Sequence, residues 1–382
     1  MVDVIIYDVG DIYNSRKQYI EESGCKVVEM WEDEEVLLGA SDLIGTTIDG
    51  IEVVRPHHDF DADKIVICND LFYDIITDQL VNEYGVPEEK LTGYWFFEER
   101  LLTDRYKDSN DREIHGILDY IGRNRVEMFN YGWADAYRWE DIEVNKDKSI
   151  GMNYVMYMGK RMYMNKLLSK RKRFTQEYVR SLLVEQDTKS PHFYWKEHDW
   201  KDEVVIDLGV AEGNFTLSII DQVKHVFLVE TDPEWIEALK VTYADYMDKV
   251  TIIDKFVSDN DEGNCITLES ILSQVSDYKN QKITIKMDIE GAEEQVLENS
   301  LDTLSEIDNL YMLICTYHHS DAYDDICRML SEHNFDYETS DGYMYMPVYN
   351  DSDRVQRKGK KNSTDFRKAL VYVKNNRSNN HE

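Results

Sequence analysis

Residues 204–217 have the sequence VVIDLGVAEGNFTL. A mainly apolar run is followed by a turn that contains Gly209 and Gly213, and a helical pattern begins directly after it. We therefore predict a strand, a tight turn and a helix, which together form a ligand-binding crevice at the carboxyl end of a parallel strand. Glycine suits both positions because a Cβ would block the turn and keep the backbone away from a ligand.

Two acidic residues of this stretch indicate which ligand the crevice accepts. Asp207 and Glu212 would place carboxylates beside the bound molecule. Carboxylates repel the pyrophosphate of a dinucleotide, whereas they attract the sulfonium and ammonium groups of S-adenosylmethionine. The pattern D-x-G-x-x-x-G therefore favours S-adenosylmethionine over NAD as the cofactor.

The next two predicted strands add further cofactor contacts. Glu230 ends the second strand, 17 residues beyond Gly213, where an acidic side chain can accept hydrogen bonds from both ribose hydroxyls. After the third strand, Ser258 and Asp259 follow at the predicted adenine position. The cofactor-binding candidates of this region are Asp207, Gly209, Glu212, Gly213, Asn214, Glu230, Thr231, Ser258 and Asp259.

The fourth predicted strand is followed by a longer motif. Residues 286–293 have the sequence KMDIEGAE, which resembles the K-x-D-I-E-G-A-E run of the FkbM family of S-adenosylmethionine-dependent methyltransferases. The resemblance covers roughly residues 185–375 and extends to His318. It implies a class I methyltransferase fold and transfer of a methyl group, commonly to a hydroxyl of a sugar, a glycan or a polyketide.

One residue and one segment differ from the common pattern of this family. Glu212 stands where many relatives carry an apolar residue, and we interpret it as a subgroup feature. The segment around Glu185, Gln186 and His192 looks like one found in relatives with an extra N-terminal domain. We expect either that Gln186 or His192 contacts the methionine end of the cofactor, or that this segment is a polar loop capped by His192.

The catalytic candidates are His318, Glu290 and Asp288. Asp288 and Glu290 follow the fourth strand and His318 follows the fifth, so all three converge on the crevice of a doubly wound sheet. Because an alcohol needs a proton acceptor, we expect His318 or Glu290 to act as the general base. As the second alternative, Asp288 and His318 would hold a divalent metal, Mg²⁺ or Mn²⁺.

Composition limits the class of protein. The 382 residues include 43 Lys and Arg against 76 Asp and Glu, a formal charge of −33 that disfavours a nucleic-acid partner. Five scattered cysteines without a C-x-x-C spacing predict reduced thiols. No run of about 18 apolar residues is present, so we expect no membrane span and a cytoplasmic location.

The alternation of strand and helix patterns predicts four zones. These are a smaller Rossmann-like α/β domain (1–100), a mixed connector (101–195), the methyltransferase domain (196–375) and a flexible tail (376–382). In the methyltransferase domain we predict strands at 203–208, 225–230, 250–254, 282–288 and 310–316. We expect segments 342–348 and 369–373 to close the sheet as an antiparallel hairpin.

The N-terminal zone lacks the features of a dinucleotide site. Its first predicted turn keeps only Gly10 of a G-x-G-x-x-G pattern, with Asp8 and Tyr13 at the other glycine positions. We therefore favour a packing domain or a dimerisation domain, which would make the protein a homodimer. The alternative is a platform for a nucleotide-linked sugar or another acceptor.

Two basic segments interrupt the acidic sequence, at 166–173 and 354–361. We interpret both as solvated surface, although the second would also suit a lid over the crevice that contacts an anionic acceptor.

The sequence thus predicts an O-methyltransferase that acts on a sugar, a glycan precursor or a related small molecule. The alternatives are a nicotinamide-dependent oxidoreductase or epimerase, and a non-catalytic protein that binds S-adenosylmethionine.

Overall fold

The computed structural model describes residues 1–33, 43–69, 72–347 and 364–376. Its chain divides into two compact units, Met1–Asn130 and Tyr131–Glu382. The division falls inside the segment 101–195 that we predicted as a connector, since the helix Arg112–Ile121 of that segment belongs to the first unit. In the described ranges, no helix combines the length and apolar character needed to span a bilayer. All five cysteines lie in these ranges and are free thiols.

The first unit is an α/β domain around one six-stranded sheet. The strand order is β3-β4-β2-β1-β5-β6, in which every neighbouring pair is parallel except β3 and β4. This architecture confirms the predicted Rossmann-like class. The elements of this unit are β1 (Val2–Tyr7), α1 (Asp11–Glu22), β2 (Cys25–Trp31), β3 (Thr47–Ile48), β4 (Ile51–Val54), β5 (Lys64–Ile67), α2 (Tyr73–Tyr84), β6 (Leu91–Gly93), α3 (Trp95–Tyr106) and α4 (Arg112–Ile121).

The second unit begins with a small antiparallel sheet and a helix. Strands β7 (Asn145–Asp147), β8 (Met152–Tyr157) and β9 (Lys160–Tyr163) pair in sequence order. Helix α5 (Lys172–Glu185) follows and carries side chains to the crevice described below. In the basic segment 166–173, two side chains form ion pairs, Lys166 with Glu237 and Arg173 with Glu177. The second basic segment, 354–361, lies outside the described residues, as does most of the predicted tail.

A seven-stranded sheet forms the centre of the second unit. Its order is β12-β11-β10-β15-β16-β20-β17, and β20 runs antiparallel to both of its neighbours. The remaining elements are β10 (Val204–Leu208), α6 (Asn214–Ile219), β11 (His225–Glu230), α7 (Pro233–Thr242), β12 (Val250–Asp254), β13 (Phe256–Val257), β14 (Cys265–Ile266), α8 (Leu268–Leu272), β15 (Lys282–Met287), α9 (Glu293–Ser305), β16 (Asn309–Cys315), α10 (Ala322–Glu332), β17 (Asp336–Thr339), β18 (Met344–Tyr345), β19 (Phe366–Arg367) and β20 (Leu370–Asn376).

The five predicted parallel strands and the doubly wound class are confirmed, but the predicted hairpin is wrong in one partner. The strand that pairs with β20 at the sheet edge is β17, not the segment 342–348. Within that segment, β18 pairs instead with β19 in a separate two-stranded sheet.

Strand β10 lies in the middle of the sheet and is completely buried. All five of its residues are buried, because the strand lies in the middle of the sheet and helices cover both faces. The chain continues from β10 to β11 on one side and later to β15 on the other. The carboxyl end of β10 is therefore the topological switch point, where ligands of open α/β sheets bind.

Candidate functional site

The turn after β10 requires its two glycines. Gly209 has φ +75° and Gly213 has φ +80°, both in the left-handed region. A Cβ on Gly209 would lie 1.7 Å from the Asp288 carbonyl oxygen, and a Cβ on Gly213 would lie 2.9 Å from the Tyr243 hydroxyl. The turn can therefore pack against β15 and α7 only without side chains at these positions.

Asp207 supports this turn from inside the sheet. Its Oδ1 lies 3.1 Å from Lys286 Nζ, and its Oδ2 accepts a hydrogen bond of 2.6 Å from the Thr216 hydroxyl. Lys286 also donates to the Gly209 carbonyl oxygen at 2.7 Å. Because Lys286 compensates the charge of Asp207, this carboxylate is a structural counter-ion beneath the turn rather than a lining group of the crevice.

Glu230 connects the carboxyl ends of β10 and β11. One carboxylate oxygen accepts a hydrogen bond of 2.9 Å from the Ala211 amide, and the other accepts from the amides of Thr231 and Asp232. An ionised carboxylate has about four lone-pair sites. Glu230 is therefore fixed in orientation and keeps acceptor capacity for a ligand hydroxyl.

A cavity of about 220 Å³ opens at the carboxyl ends of β10 and β15. Gly209 and Asn214, which the sequence predicts as cofactor contacts, line it. Four carboxylates and one lysine also line it: Glu185, Glu212, Asp288, Glu290 and Lys286. Carboxylates outnumber the single ammonium, so the lining favours a ligand that carries positive charge.

Asp288 is held from several directions. Tyr194 donates a hydrogen bond to its Oδ2 at 2.7 Å, and Tyr317 donates to its Oδ1 at 3.0 Å. Burial alone would raise the pKa of this carboxyl, but Lys286 and the nearby histidines lower it well below its usual range. Asp288 is therefore ionised and rigid, which suits it to positioning.

His318 lies between three carboxylates. Its Nδ1 is 3.0 Å from Glu293, and its Nε2 is 3.5 Å from Asp288 and 3.7 Å from Glu290. Burial opposes the charged imidazole, yet Glu293 together with Asp288 and Glu290 raises the pKa of His318 above its ordinary value. The structure therefore favours the imidazolium form, which cannot accept a proton.

Glu290 has a different environment. Its side chain is 94% exposed, and it lines the mouth of the cavity. Its backbone is in the left-handed region with φ 55°, a costly conformation for a non-glycine residue. The turn thus directs an accessible carboxylate toward the crevice, while Glu293 on the same turn accepts from the Ile289 amide and stays buried.

The remaining predicted contacts lie outside the lining. Gln186 accepts a hydrogen bond from the Tyr194 amide and contacts His192, so it fixes the loop after α5. Ser258 contacts Asp259, which is exposed. The Thr231 amide donates to Glu230. These residues and Gly213 do not line the cavity.

Sequence reasoning missed three tyrosines that line the cavity, Tyr178, Tyr194 and Tyr317. Tyr178 is on α5, before the methyltransferase domain as we predicted it, and an isolated tyrosine in a helix gives no signal of such a role. Tyr194 is next to the segment that we associated with the cofactor. Tyr317 directly precedes His318, so its position after β16 was a signal that we did not use.

The proposed metal ligands are close enough to share an ion. Ligand atoms of Asp288, Glu293 and His318 lie within 4.8 Å of one another. However, the surrounding carboxylates raise the pKa of His318, which favours its protonated form. Since a metal needs a neutral imidazole, these residues fit a divalent ion less well than they fit a hydrogen-bonded cluster.

S-Adenosylmethionine fits the residues better. Gly209 itself places no side chain in the crevice, the cavity lining is acidic, and Glu230 is held in a fixed orientation at the end of β11. A sulfonium cation and a ribose are groups that such residues bind.

Comparison with known families agrees with this site. Residues 245–337 match the family model described as the methyltransferase FkbM domain. The matched segment contains the KMDIEGAE run and His318, so the resemblance that we identified in the sequence is confirmed. The match supports a methyltransferase that uses S-adenosylmethionine. Among curated proteins, none is significantly similar to this chain.

Several solved structures are similar to the chain. The methyltransferase FkbM of Methylobacillus flagellatus KT is 15% identical, with 97% of this chain and 90% of that chain covered and a TM-score of 0.43. The precorrin-6y C5,15-methyltransferase of Geobacter metallireducens GS-15 is 12% identical, with coverages of 52% and 87% and a TM-score of 0.30. An rRNA methylase of Streptococcus thermophilus is 15% identical, with coverages of 46% and 87% and a TM-score of 0.29.

Proposed function

We propose, from the FkbM methyltransferase match of residues 245–337, that this chain is an S-adenosylmethionine-dependent O-methyltransferase. Its acceptor would be a hydroxyl of a sugar, a glycan precursor or a related small molecule, either free or nucleotide-linked. The observation that carries this proposal is the acidic cavity at the switch point, where Glu290 is accessible beside the ionised Asp288.

The cofactor would supply an electrophilic methyl group on a sulfonium sulfur. Glu290 would accept the hydroxyl proton of the acceptor, because its exposed carboxylate lies at the cavity mouth. Asp288, fixed by Tyr194 and Tyr317, orients the acceptor. Positioning of this kind supplies much of the acceleration of an in-line transfer.

His318 takes a supporting part in this mechanism. As an imidazolium between Glu293, Asp288 and Glu290, it keeps the two turns after β15 and β16 together. Of the two bases that the sequence left open, the geometry thus favours Glu290. A Mg²⁺ or Mn²⁺ ion on Asp288 and His318 remains the second mechanism.

The test is turnover of S-adenosylmethionine to S-adenosylhomocysteine with a panel of free and nucleotide-linked sugars, measured by mass spectrometry. Glu290→Gln should lower kcat by about 100-fold with cofactor affinity retained, since general base catalysis contributes about that much. Glu298→Gln, an exposed carboxylate on α9, is the matched control and should keep full activity. A chelator should leave the rate unchanged.

Other outcomes would favour the alternatives. Full activity in Glu290→Gln would remove the base assignment, and loss of activity in His318→Gln alone would favour His318 as the base. Loss of activity in the chelator, restored by Mg²⁺ or Mn²⁺, would favour the metal mechanism. Oxidation of NADH without methyl transfer would favour the nicotinamide-dependent enzyme. Cofactor binding without any S-adenosylhomocysteine would favour a non-catalytic binding protein.

A further inference from the structure

Glu212 is a buried carboxylate that faces the cavity. It is 5% exposed and lines the cavity beside Ala211. Its hydrogen-bond partner is the hydroxyl of Tyr178, which donates to Oε2. Within the part of the chain that the structure describes, no lysine, arginine or histidine forms an ion pair with Glu212. A buried carboxylate that has only a neutral partner is unusual, since burial of an uncompensated charge is costly.

The other carboxylates of the cavity differ from Glu212. Glu185 lies 2.7 Å from His192 Nδ1. Asp288 lies 3.8 Å from His192 and 3.5 Å from His318, and Lys286 lowers its pKa. Glu290 is open to solvent, where water screens its charge. Glu212 is therefore the lining carboxylate for which a bound cation would supply the missing counter-charge.

We propose that Glu212 distinguishes the sulfonium cofactor from its demethylated product, by pairing with the positively charged sulfur and losing that pairing when the sulfur becomes a neutral thioether. This inference rests on the proposed function, because it assigns a specificity role within the same cavity. Within that cavity, the interaction of Glu212 with the ligand would change when the sulfur loses its positive charge in the reaction.

The protonation of Glu212 supports this role. Burial raises the pKa of Glu212 to about 7, with the Tyr178 hydrogen bond lowering it. Glu185 on α5 raises it further and Lys286 on β15 lowers it. Two neutral phenols also face Glu212, Tyr157 from β8 and Tyr243 from α7.

A cation beside Glu212 stabilises the ionised form, so the pKa falls when S-adenosylmethionine binds. Because burial raises this pKa, part of the free protein carries the proton near neutral pH, and cofactor binding should therefore release protons. S-Adenosylhomocysteine has no charge on sulfur and should release less. After methyl transfer the carboxylate takes the proton back, which weakens the hold on the product.

Isothermal titration calorimetry of the full chain with each ligand tests this inference. Glu212→Gln keeps the size of the side chain and an acceptor for Tyr178, but removes the charge. We expect affinity for S-adenosylmethionine to fall about tenfold and affinity for S-adenosylhomocysteine to change little. Titration in two buffers of different ionisation enthalpy should show that the released proton is lost in the variant.

Glu230→Gln is the matched control. Both ligands contain the ribose, so this variant should weaken both by the same factor and keep the proton release. Tyr178→Phe provides a second readout if Glu212→Gln folds poorly. Without the hydroxyl the pKa of Glu212 rises further, so the pH at which binding releases most protons should move upward.

The results that would overturn the inference differ from those that would overturn the proposed function. An unchanged affinity ratio, or undiminished proton release, in Glu212→Gln would remove the role of Glu212 while leaving the methyltransferase intact. If the wild-type protein bound neither ligand, the proposed function would fail and this inference with it.

Discussion

Gly209 is the residue on which the crevice geometry depends most. A Cβ at this position would lie 1.7 Å from the Asp288 carbonyl oxygen, which is backbone and cannot move aside easily. The same residue accepts a hydrogen bond from Lys286 through its carbonyl oxygen. One glycine thus brings the turn after β10 against the strand end that carries Asp288.

Gly209→Ala should destabilise the protein by about 3 kcal/mol, because strain at positive φ adds to a backbone clash. Gly159→Ala is the matched control. Gly159 has φ +79°, but no atom lies within 4 Å of its added Cβ, so the expected cost is only about 1 kcal/mol. Urea denaturation followed by circular dichroism measures both. Equal losses in the two variants would show that the close approach to Asp288 is unimportant.

At the scale of single residues, the sequence predicted which residues lie at the crevice better than it predicted which side chains they contact. The pattern D-x-G-x-x-x-G located the turn, and KMDIEGAE located Asp288 and Glu290 beside it. We expected Asp207 to attract the sulfonium, yet Lys286 compensates its charge. That contact joins residues 79 positions apart through the register of two strands, which no local pattern contains.

The pairing of β10 with β15 is the element that joins the two motifs. Asp207 is directly opposite Lys286 in this parallel pair, and both side chains are buried. Thr216 on α6 adds a hydrogen bond from the other side. The helix after the turn and the strand beside it are thus connected through one carboxylate.

Removal of either partner should leave an uncompensated charge. Asp207→Asn and Lys286→Met should each cost about 3 kcal/mol of unfolding free energy. The double variant should cost at least about 1 kcal/mol less than the sum, since neither charge is then left alone. A double-mutant cycle in urea gives these values. Strict additivity would mean that the two side chains do not stabilise each other.

Strands and helices in the centre of the chain were predictable because their burial produces regular apolar patterns. The five parallel strands of the second unit lie where those patterns predicted them. The strand at the edge of the seven-stranded sheet was harder to predict. Strand β17 alternates between exposed and partly buried residues, whereas Met344 and Tyr345 are buried and apolar but belong to a separate small sheet.

The chain contains two α/β units that carry different structural features. The second unit contains the cavity, the oriented Glu230 and the acidic cluster around His318. In the first unit, Asp8 is in the turn after β1 with φ 69° and accepts a hydrogen bond from the Gly10 amide. That a pyrophosphate is unsuited to this turn, and that the unit serves in packing or dimerisation, both remain predictions.

The bounds of the predicted zones remain predictions at this scale. The first compact unit extends to Asn130 and includes α4, which lies in the segment that we predicted as a connector. Contacts between distant segments decide such borders, and a local sequence pattern does not contain those contacts.

The central claim is that the acidic crevice of the second unit binds a sulfonium cofactor. Calorimetric titration of the full chain with S-adenosylmethionine, and separately with NADH, tests it most directly. We expect saturable binding of S-adenosylmethionine that is weakened by Glu230→Gln, and no heat of binding with NADH. Saturable binding of NADH together with no binding of S-adenosylmethionine would contradict the account.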